Sequence, residues 1–240
     1  MDDPTGAAAV LPFPVHRRST IDETLEGFPG RAGGDGMPGG RSERRVTVLY
    51  TEIRGWKQVA ERAGSSRAGE LLASVMDAAV GIVQEGRPVD VTVGGSATQP
   101  VLWATFDGDD HVRRALRAAV AVRDTVGEAR LPEISGHRFQ ACSGLNTGDI
   151  VQAEVSGGVP VSFHAVGTVR MFATRLQEFA GPGQIFLSVS TYAEATGSVK
   201  VRSIGPVRTN PDGETSEAFC LTQFLPTEPQ ETAEAGRTSG

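Results

Sequence analysis

The chain has 240 residues, 39% of them hydrophobic, which is enough for one buried core of ordinary domain size with loose ends to spare. A net charge of −6 argues against nucleic-acid binding through bulk electrostatics. No stretch approaches the ~18–20 consecutive apolar residues of a membrane span, and the N-terminus lacks a basic segment followed by an apolar run, so neither an anchor nor a secretory signal is expected.

Residues 1–43 are rich in Gly, Pro, Asp and Arg and read as a disordered tail, because such a composition buries too little apolar surface to offset the entropy of ordering. Within it, Thr20 and Glu23 fit a helix-capping box, and Ile21, Leu25 and Phe28 share one helical face. Residues 19–28 are therefore a candidate docking segment for a protein partner or for the domain itself, set against an unstructured tail with a chance pattern. A single domain is expected over 44–225, and residues 226–240 are again polar, a second disordered tail.

Inside the domain, Arg44–Ile53 alternates as a strand, Gly55 breaks it, and Trp56, Val59 and Ala60 open a short helix. Ser65-Ser66 offer N-caps for a long helix carrying Leu71, Leu72, Val75, Met76, Ala79, Ile82 and Val83 at helical spacing, stopped by Gly86 and Pro88. Val89–Val93 and Val101–Phe106 read as two short strands joined by a long hairpin over 94–100. Asp109 or Asp110 opens a helix running to about Glu128, with Val112, Ala115, Leu116, Ala119 and Val122 inward. Its basic run from Arg113 to Arg123 reads as a solvated face.

Phe139–Leu145 and Ile150–Val155 read as strands joined by a turn at Asn146-Thr147-Gly148-Asp149. A strand over Val161–Val166 follows, then a helix over Thr168–Phe179 ended by Gly181-Pro182-Gly183. Ile185–Ser188, a short helix from Ser190, and strands over Val199–Ile204 and Glu217–Phe224 complete the domain. This order predicts an α+β fold, a ferredoxin-like sandwich with a mostly antiparallel sheet and helices on one face. Cys142 and Cys220 sit in apolar strand contexts and read as free buried thiols, which points to a cytoplasmic location.

Four local strings, in order and at consistent spacing, resemble the class III adenylate/guanylate cyclase catalytic domain. They are RRVTVLYTEIRGW (44–56), Gly144-Leu145-Asn146-Thr147-Gly148-Asp149, Ala165-Val166-Gly167 followed by Ala173-Thr174-Arg175-Leu176, and Gly181-Pro182-Gly183-Gln184-Ile185 with Ser190-Thr191-Tyr192. The resemblance implies a sandwich of the cyclase type and a reaction in which a nucleoside triphosphate's 3′-oxygen attacks its own α-phosphorus. That chemistry needs two metal ions held by two carboxylates, a transition-state Arg, a ribose-orienting Asn and purine-reading residues, all assembled across a dimer.

The chain departs from that pattern at most of these positions. Glu52 replaces the first metal Asp, and Gly95 stands where the second metal Asp belongs. Val91 replaces the purine-reading Lys, His164 occupies the second purine-reading position, and Met171 replaces the Asn. Arg175 matches the transition-state Arg, either as a surviving phosphate clamp or as a helix-surface residue paired to Glu178 or a neighbour. Arg208 sits near a phosphate-binding position where no Lys is found. No acid occurs from Val91 to Phe106; Asp107, Asp109 and Asp110 come only after the third strand. The expanded hairpin is expected no longer to cup a triphosphate.

Losing one preorganised transition-state group costs ~10²–10³ in rate. The sequence therefore predicts a catalytically inactive, dimerising regulator with no cofactor, a homodimer or a heterodimer with a cyclase-like chain, acting through partner or nucleotide binding. The alternative is a divergent active cyclase using Mg or Mn. Among the four histidines (His16, His111, His137, His164) none shows metal-ligand spacing with a cysteine, and Gly94-Gly95-Ser96 lacks the Lys-Ser/Thr ending of a phosphate-binding loop.

Overall fold

A computed structural model of the chain describes residues 41–129, 138–155, 159–161, 168–209 and 213–225. Residues 1–40 of the tail expected over 1–43, the tail over 226–240, the helix over 19–28, most of the strand over 161–166 and the candidate residue His164 lie outside the described residues, while residues 41–43 are strand rather than tail.

Strand β1 (Arg41–Arg54) lies at the centre of the sheet because its alternation is apolar on both faces. Leu49 and Ile53 face one core, Val46 and Val48 the other. Helices α1 (Trp56–Ala63) and α2 (Ser65–Glu85) follow, divided by Gly64 at φ 78. Gly64, rather than the expected serines, takes the cap position of α2. Strands β2 (Asp90–Ser96) and β3 (Gln99–Asp107) lead to α3 (His111–Glu128), and β4 (Gln140–Val155) and β5 (Val159–Val161) lead to α4 (Thr168–Phe179). Strand β6 (Ile185–Ser188), α5 (Val189–Glu194), β7 (Val199–Arg208) and β8 (Thr215–Phe224) complete the order.

The sheet runs β2-β3-β1-β4-β6-β8-β7, with β5 paired to β4. Every pairing is antiparallel except β4–β6. The α+β class and the mostly antiparallel sheet match the expectation. Helices α2 and α3 share one face, where Leu72, Met76, Val83, Leu116 and Val122 bury against Leu49, Leu102, Phe106 and Leu145. The opposite face is covered by α4, through Val169, Phe172, Ala173 and Leu176. Among the described residues, no helix is long and apolar enough to cross a membrane.

Two loop expectations are corrected. The stretch Asn146-Thr147-Gly148-Asp149 is not a turn; β4 runs straight through it, paired residue by residue with β1 from Asp149↔Arg45 to Asn146↔Val48. Its turn-type residues serve packing. A Cβ on Gly144 would lie 2.1 Å from the Ala173 carbonyl, and one on Gly148 would lie 2.8 Å from Val169. Asn146 between them donates Nδ2 to the Val169 carbonyl at 2.9 Å. The glycines thus let α4 lie against β4 at backbone distance.

The second correction concerns the long loop expected over 94–100. Both strands extend into it, with Gly94↔Val101, Gly95↔Pro100 and Ser96↔Gln99 in register, so that only Ala97-Thr98 turns. Ser96 Oγ ties the turn by accepting the Gln99 amide at 3.1 Å.

Candidate functional site

Strand alternation decides which residues the α4 face can present. From β1 it presents Tyr50 and Glu52, and from β3, Val101 and Trp103 by pairing with them. From β2 it presents Asp90, Thr92 and Gly94, which are paired with Thr105, Trp103 and Val101. Val91 and Val93 instead pack into the core beneath α2 and α3. The expected purine-reading position at Val91 therefore looks away from this face. A one-residue step in the register moves every side chain to the other side of a sheet.

Glu52 stands where a first metal carboxylate is expected, but its side chain is only 14% exposed and it is held in place. Its Oε2 accepts Arg54 Nε at 3.0 Å and Gln177 Nε2 at 2.6 Å. Gln177 is buried on α4, and Arg54 Nη1 continues to the Ala180 carbonyl at 3.0 Å. The four groups form a clasp that fastens the C-terminal end of α4 to β1. Charge-assisted bonds of this kind fix a carboxylate's direction.

Gly95 stands where the second carboxylate is expected. Its φ is +88, and a Cβ there would lie 2.1 Å from the Gln99 carbonyl. The left-handed backbone and the facing strand both exclude a side chain. Of the later acids, Asp107 pairs with Arg44 at 3.0 Å and Asp110 with Arg114 at 2.7 Å, at the opposite end of β3 from the hairpin.

An aromatic stack occupies the space beside the clasp. Tyr50 and Trp103 are cross-strand partners whose rings lie 6.0 Å apart at an interplanar angle of 3°. Arg170 of α4 lays its guanidinium over the indole, Cζ 3.8 Å from the ring centroid. Gly94 makes room: a Cβ there would be 3.1 Å from Trp103. Burial pushes the Tyr50 hydroxyl up in pKa, with the Arg170 charge opposing it, and burial lowers the Arg170 guanidinium while Tyr50 and Asp90 oppose that. The stack is a half-buried cation–π arrangement, worth ~1–2 kcal/mol.

The remaining candidates lie along α4. Met171 is half-buried. Arg175 Nη1 pairs with Glu178 at 2.8 Å within the same helix, both side chains well exposed. Arg208 is exposed at the end of β7. Arg54, Gln177, Tyr50, Trp103 and Arg170 are additional to the residues singled out from sequence. Alternation from Glu52 marks Arg54 and Tyr50, and the helical spacing 170–173–177 marks Arg170 and Gln177 on one side of α4.

A two-metal site needs carboxylates that converge. Here Glu52 is bonded to Arg54 and Gln177, Asp90 lies four residues along β2 from Gly94, the residue level with Glu52, and Gly95 cannot carry a carboxylate. Among the described residues, no group of three or more His, Cys, Asp or Glu could hold a metal ion. These residues do not fit a magnesium or manganese pair.

No family model matches the sequence, and no curated protein does. Solved structures do match the fold. The chain is similar to the adenylyl cyclase CyaB from P. aeruginosa at 14% identity and TM-score 0.62, over 79% of this chain and 100% of that one. It is similar to the guanylyl cyclase Cya2 at 18% identity and TM-score 0.62, over 80% of this chain and 98% of that one. It is also similar to the guanylate cyclase domain of RhGC from Catenaria anguillulae, solved in complex with GTP, at 17% identity and TM-score 0.60, over 76% of this chain and 99% of that one. With Glu52 and the 144–149 segment on neighbouring central strands and Arg175 on the helix that covers them, the chain has the fold of a class III adenylate/guanylate cyclase catalytic domain.

Proposed function

We propose that this chain is a catalytically inactive cyclase-homology domain that works as a regulatory module in the cytoplasm, through dimerisation with a second copy or a cyclase-like chain and through partner or nucleotide binding. The observation that carries the reading is Glu52: the carboxylate at the metal position bridges Arg54 and Gln177 and so belongs to the packing of α4. The exclusion of any side chain at Gly95 supports it independently. With the metal positions, the ribose Asn and the purine Lys all replaced, each worth ~10²–10³ in rate when lost alone, little acceleration is left even though such losses do not add.

Dimerisation is supported by the footprint of α4, which packs on β1, β4 and β6 and leaves most of β2 and β3 outside it on that face. The cytoplasmic setting is supported by two buried free thiols, Cys142 and Cys220. The test is an assay of the purified full chain with ATP or GTP and Mn²⁺, read as cyclic nucleotide formed, beside calorimetric titration with both triphosphates. No product is expected. Metal-dependent product that disappears in Glu52→Ala would overturn the proposal and establish a divergent cyclase using Mg or Mn.

A further inference from the structure

A second polar cluster lies in the opposite core, where the N-terminus of α3 meets β1, β4 and α5. Its members are Thr47, His111, Thr147, Ser188 and Thr191, all buried. His111 Nδ1 lies 2.7 Å from Thr47 Oγ1, Thr47 Oγ1 2.8 Å from Thr147 Oγ1, and Thr147 Oγ1 3.0 Å from Thr191 Oγ1. Thr191 Oγ1 ends the row, 3.0 Å from Ser188 Oγ and 3.2 Å from the Leu145 carbonyl. On the other side of the ring, His111 Nε2 faces Glu194 Oε2 at 3.4 Å. Glu194 Oε1 is held by Arg45, which also grips Asp149 at 2.9 Å.

Each hydroxyl has one proton to give, so the row can be read in two directions. In the first, Ser188 donates to Thr191, Thr191 to Thr147, Thr147 to Thr47, and Thr47 to His111 Nδ1. The imidazole is then neutral, with its proton on Nε2 toward Glu194. In the second, His111 carries both protons. Nδ1 donates to Thr47, Thr47 to Thr147, Thr147 to Thr191, and Thr191 to the Leu145 carbonyl, while Ser188 still donates to Thr191. Every proton has an acceptor in both directions, and no heavy atom needs to move. The Leu145 carbonyl makes the second direction complete.

We infer that His111, the three-threonine row and the Leu145 carbonyl form a reversible proton-binding device, in which uptake of one proton reverses the row and converts the His111–Glu194 contact into an ion pair joining α3 to α5. The structural content is a switch at a junction of four elements, separate from the α4 face and independent of the proposed function above.

The charges facing the ring come from every element around it. Glu194 is on α5, Arg45 on β1, Arg114 on α3 itself and Asp107 at the end of β3, with Asp149 of β4 acting through Arg45. Burial lowers the ring's pKa most; Glu194 raises it, Arg45 and Arg114 lower it, and Asp107 raises it. The positive end of α3, whose first residue is His111, adds to the lowering. Protonation therefore falls below the ordinary histidine range of ~6.5.

The experiment is long-range proton–nitrogen NMR of the imidazoles in the full chain between pH 8 and pH 5, with His111→Gln identifying the signal. Expected are the Nε2–H tautomer at pH 8 and a reversible titration with the fold intact. Glu194→Gln removes the counter-charge and should lower the midpoint by about one unit. Thr191→Val removes the row's exit to Leu145 and should lower it too, because only the charged form needs that exit; Thr191→Ser should restore it. An Nδ1–H tautomer at pH 8, a ring that stays neutral until the protein unfolds, or a midpoint unmoved by Glu194→Gln would each overturn the inference. If Thr191→Val does not fold, the wild-type tautomer and the Glu194→Gln midpoint decide alone.

Discussion

Replacing Glu52 by Ala separates a structural acid from a metal-site acid by the sign of its effect on stability. A carboxylate kept for metal is usually crowded by like charge or poorly satisfied, and its removal is neutral or stabilising when no metal is bound. Glu52 here accepts from Arg54 and from Gln177. Arg54 is 34% exposed and can turn to water, so its share is small, under ~1 kcal/mol. Gln177 is 4% exposed and cannot; an orphaned buried donor costs ~1–3 kcal/mol. The expected destabilisation is therefore ~2–3 kcal/mol, with a Tm lower by roughly 4–12 °C for a domain of this size. Urea unfolding of wild type, Glu52→Ala, Gln177→Leu and the double variant measures it. In the cycle the double variant should cost clearly less than the sum of the singles, by ~1–2 kcal/mol. A neutral or stabilised Glu52→Ala, or strict additivity with Gln177→Leu, refutes the clasp.

Three further outcomes follow from the same geometry. Gly95→Asp should leave calorimetric Mn²⁺ binding undetectable and lower stability, since its Cβ would meet the Gln99 carbonyl at 2.1 Å on a left-handed backbone. Gly144→Ala should cost ~2–3 kcal/mol in urea unfolding, because its Cβ would sit 2.1 Å from the Ala173 carbonyl and drive α4 off the sheet; Gly183→Ala, with open space around it, lacks that overlap and carries only its φ penalty. Because His111 has its pKa lowered in the fold, the unfolded chain takes up the proton first. Stability is then full above pH ~6.5 and declines as pH falls toward the folded midpoint, a slope that His111→Gln should flatten in denaturant titrations at stepped pH.

Local punctuation makes several elements legible in the amino-acid sequence itself. Helix α4 spans Thr168–Phe179 and β6 Ile185–Ser188, as their apolar spacing and the Gly181-Pro182-Gly183 stop require. The Arg175–Glu178 pair is legible as well, since i,i+3 neighbours on a helix are fixed by its geometry. Glycine and asparagine mislead when read as turns. At 144–149 and 94–95 the same residues answer long-range demands, the backbone of α4 in one case and the Trp103 ring and Gln99 carbonyl in the other. The partner of Glu52 is hidden for the same reason: Gln177 lies 125 residues away, and nothing in the local pattern marks it as a ligand of a strand-end acid. The hydroxyl row joins threonines from β1, β4 and α5, so no window of sequence contains it.

The contacts on the α4 face belong to one packing arrangement. Gly144 and Gly148 seat α4 against β4, and that seat places Gln177 on Glu52 and Arg170 on Trp103. Gly94, which keeps the indole's edge clear, sits beside Gly95, where the backbone leaves no room for a side chain. Glu52, at the expected metal position, is thus also a group that holds the helix down. Glu52→Asp would loosen this packing, because the shorter side chain cannot keep both Arg54 and Gln177.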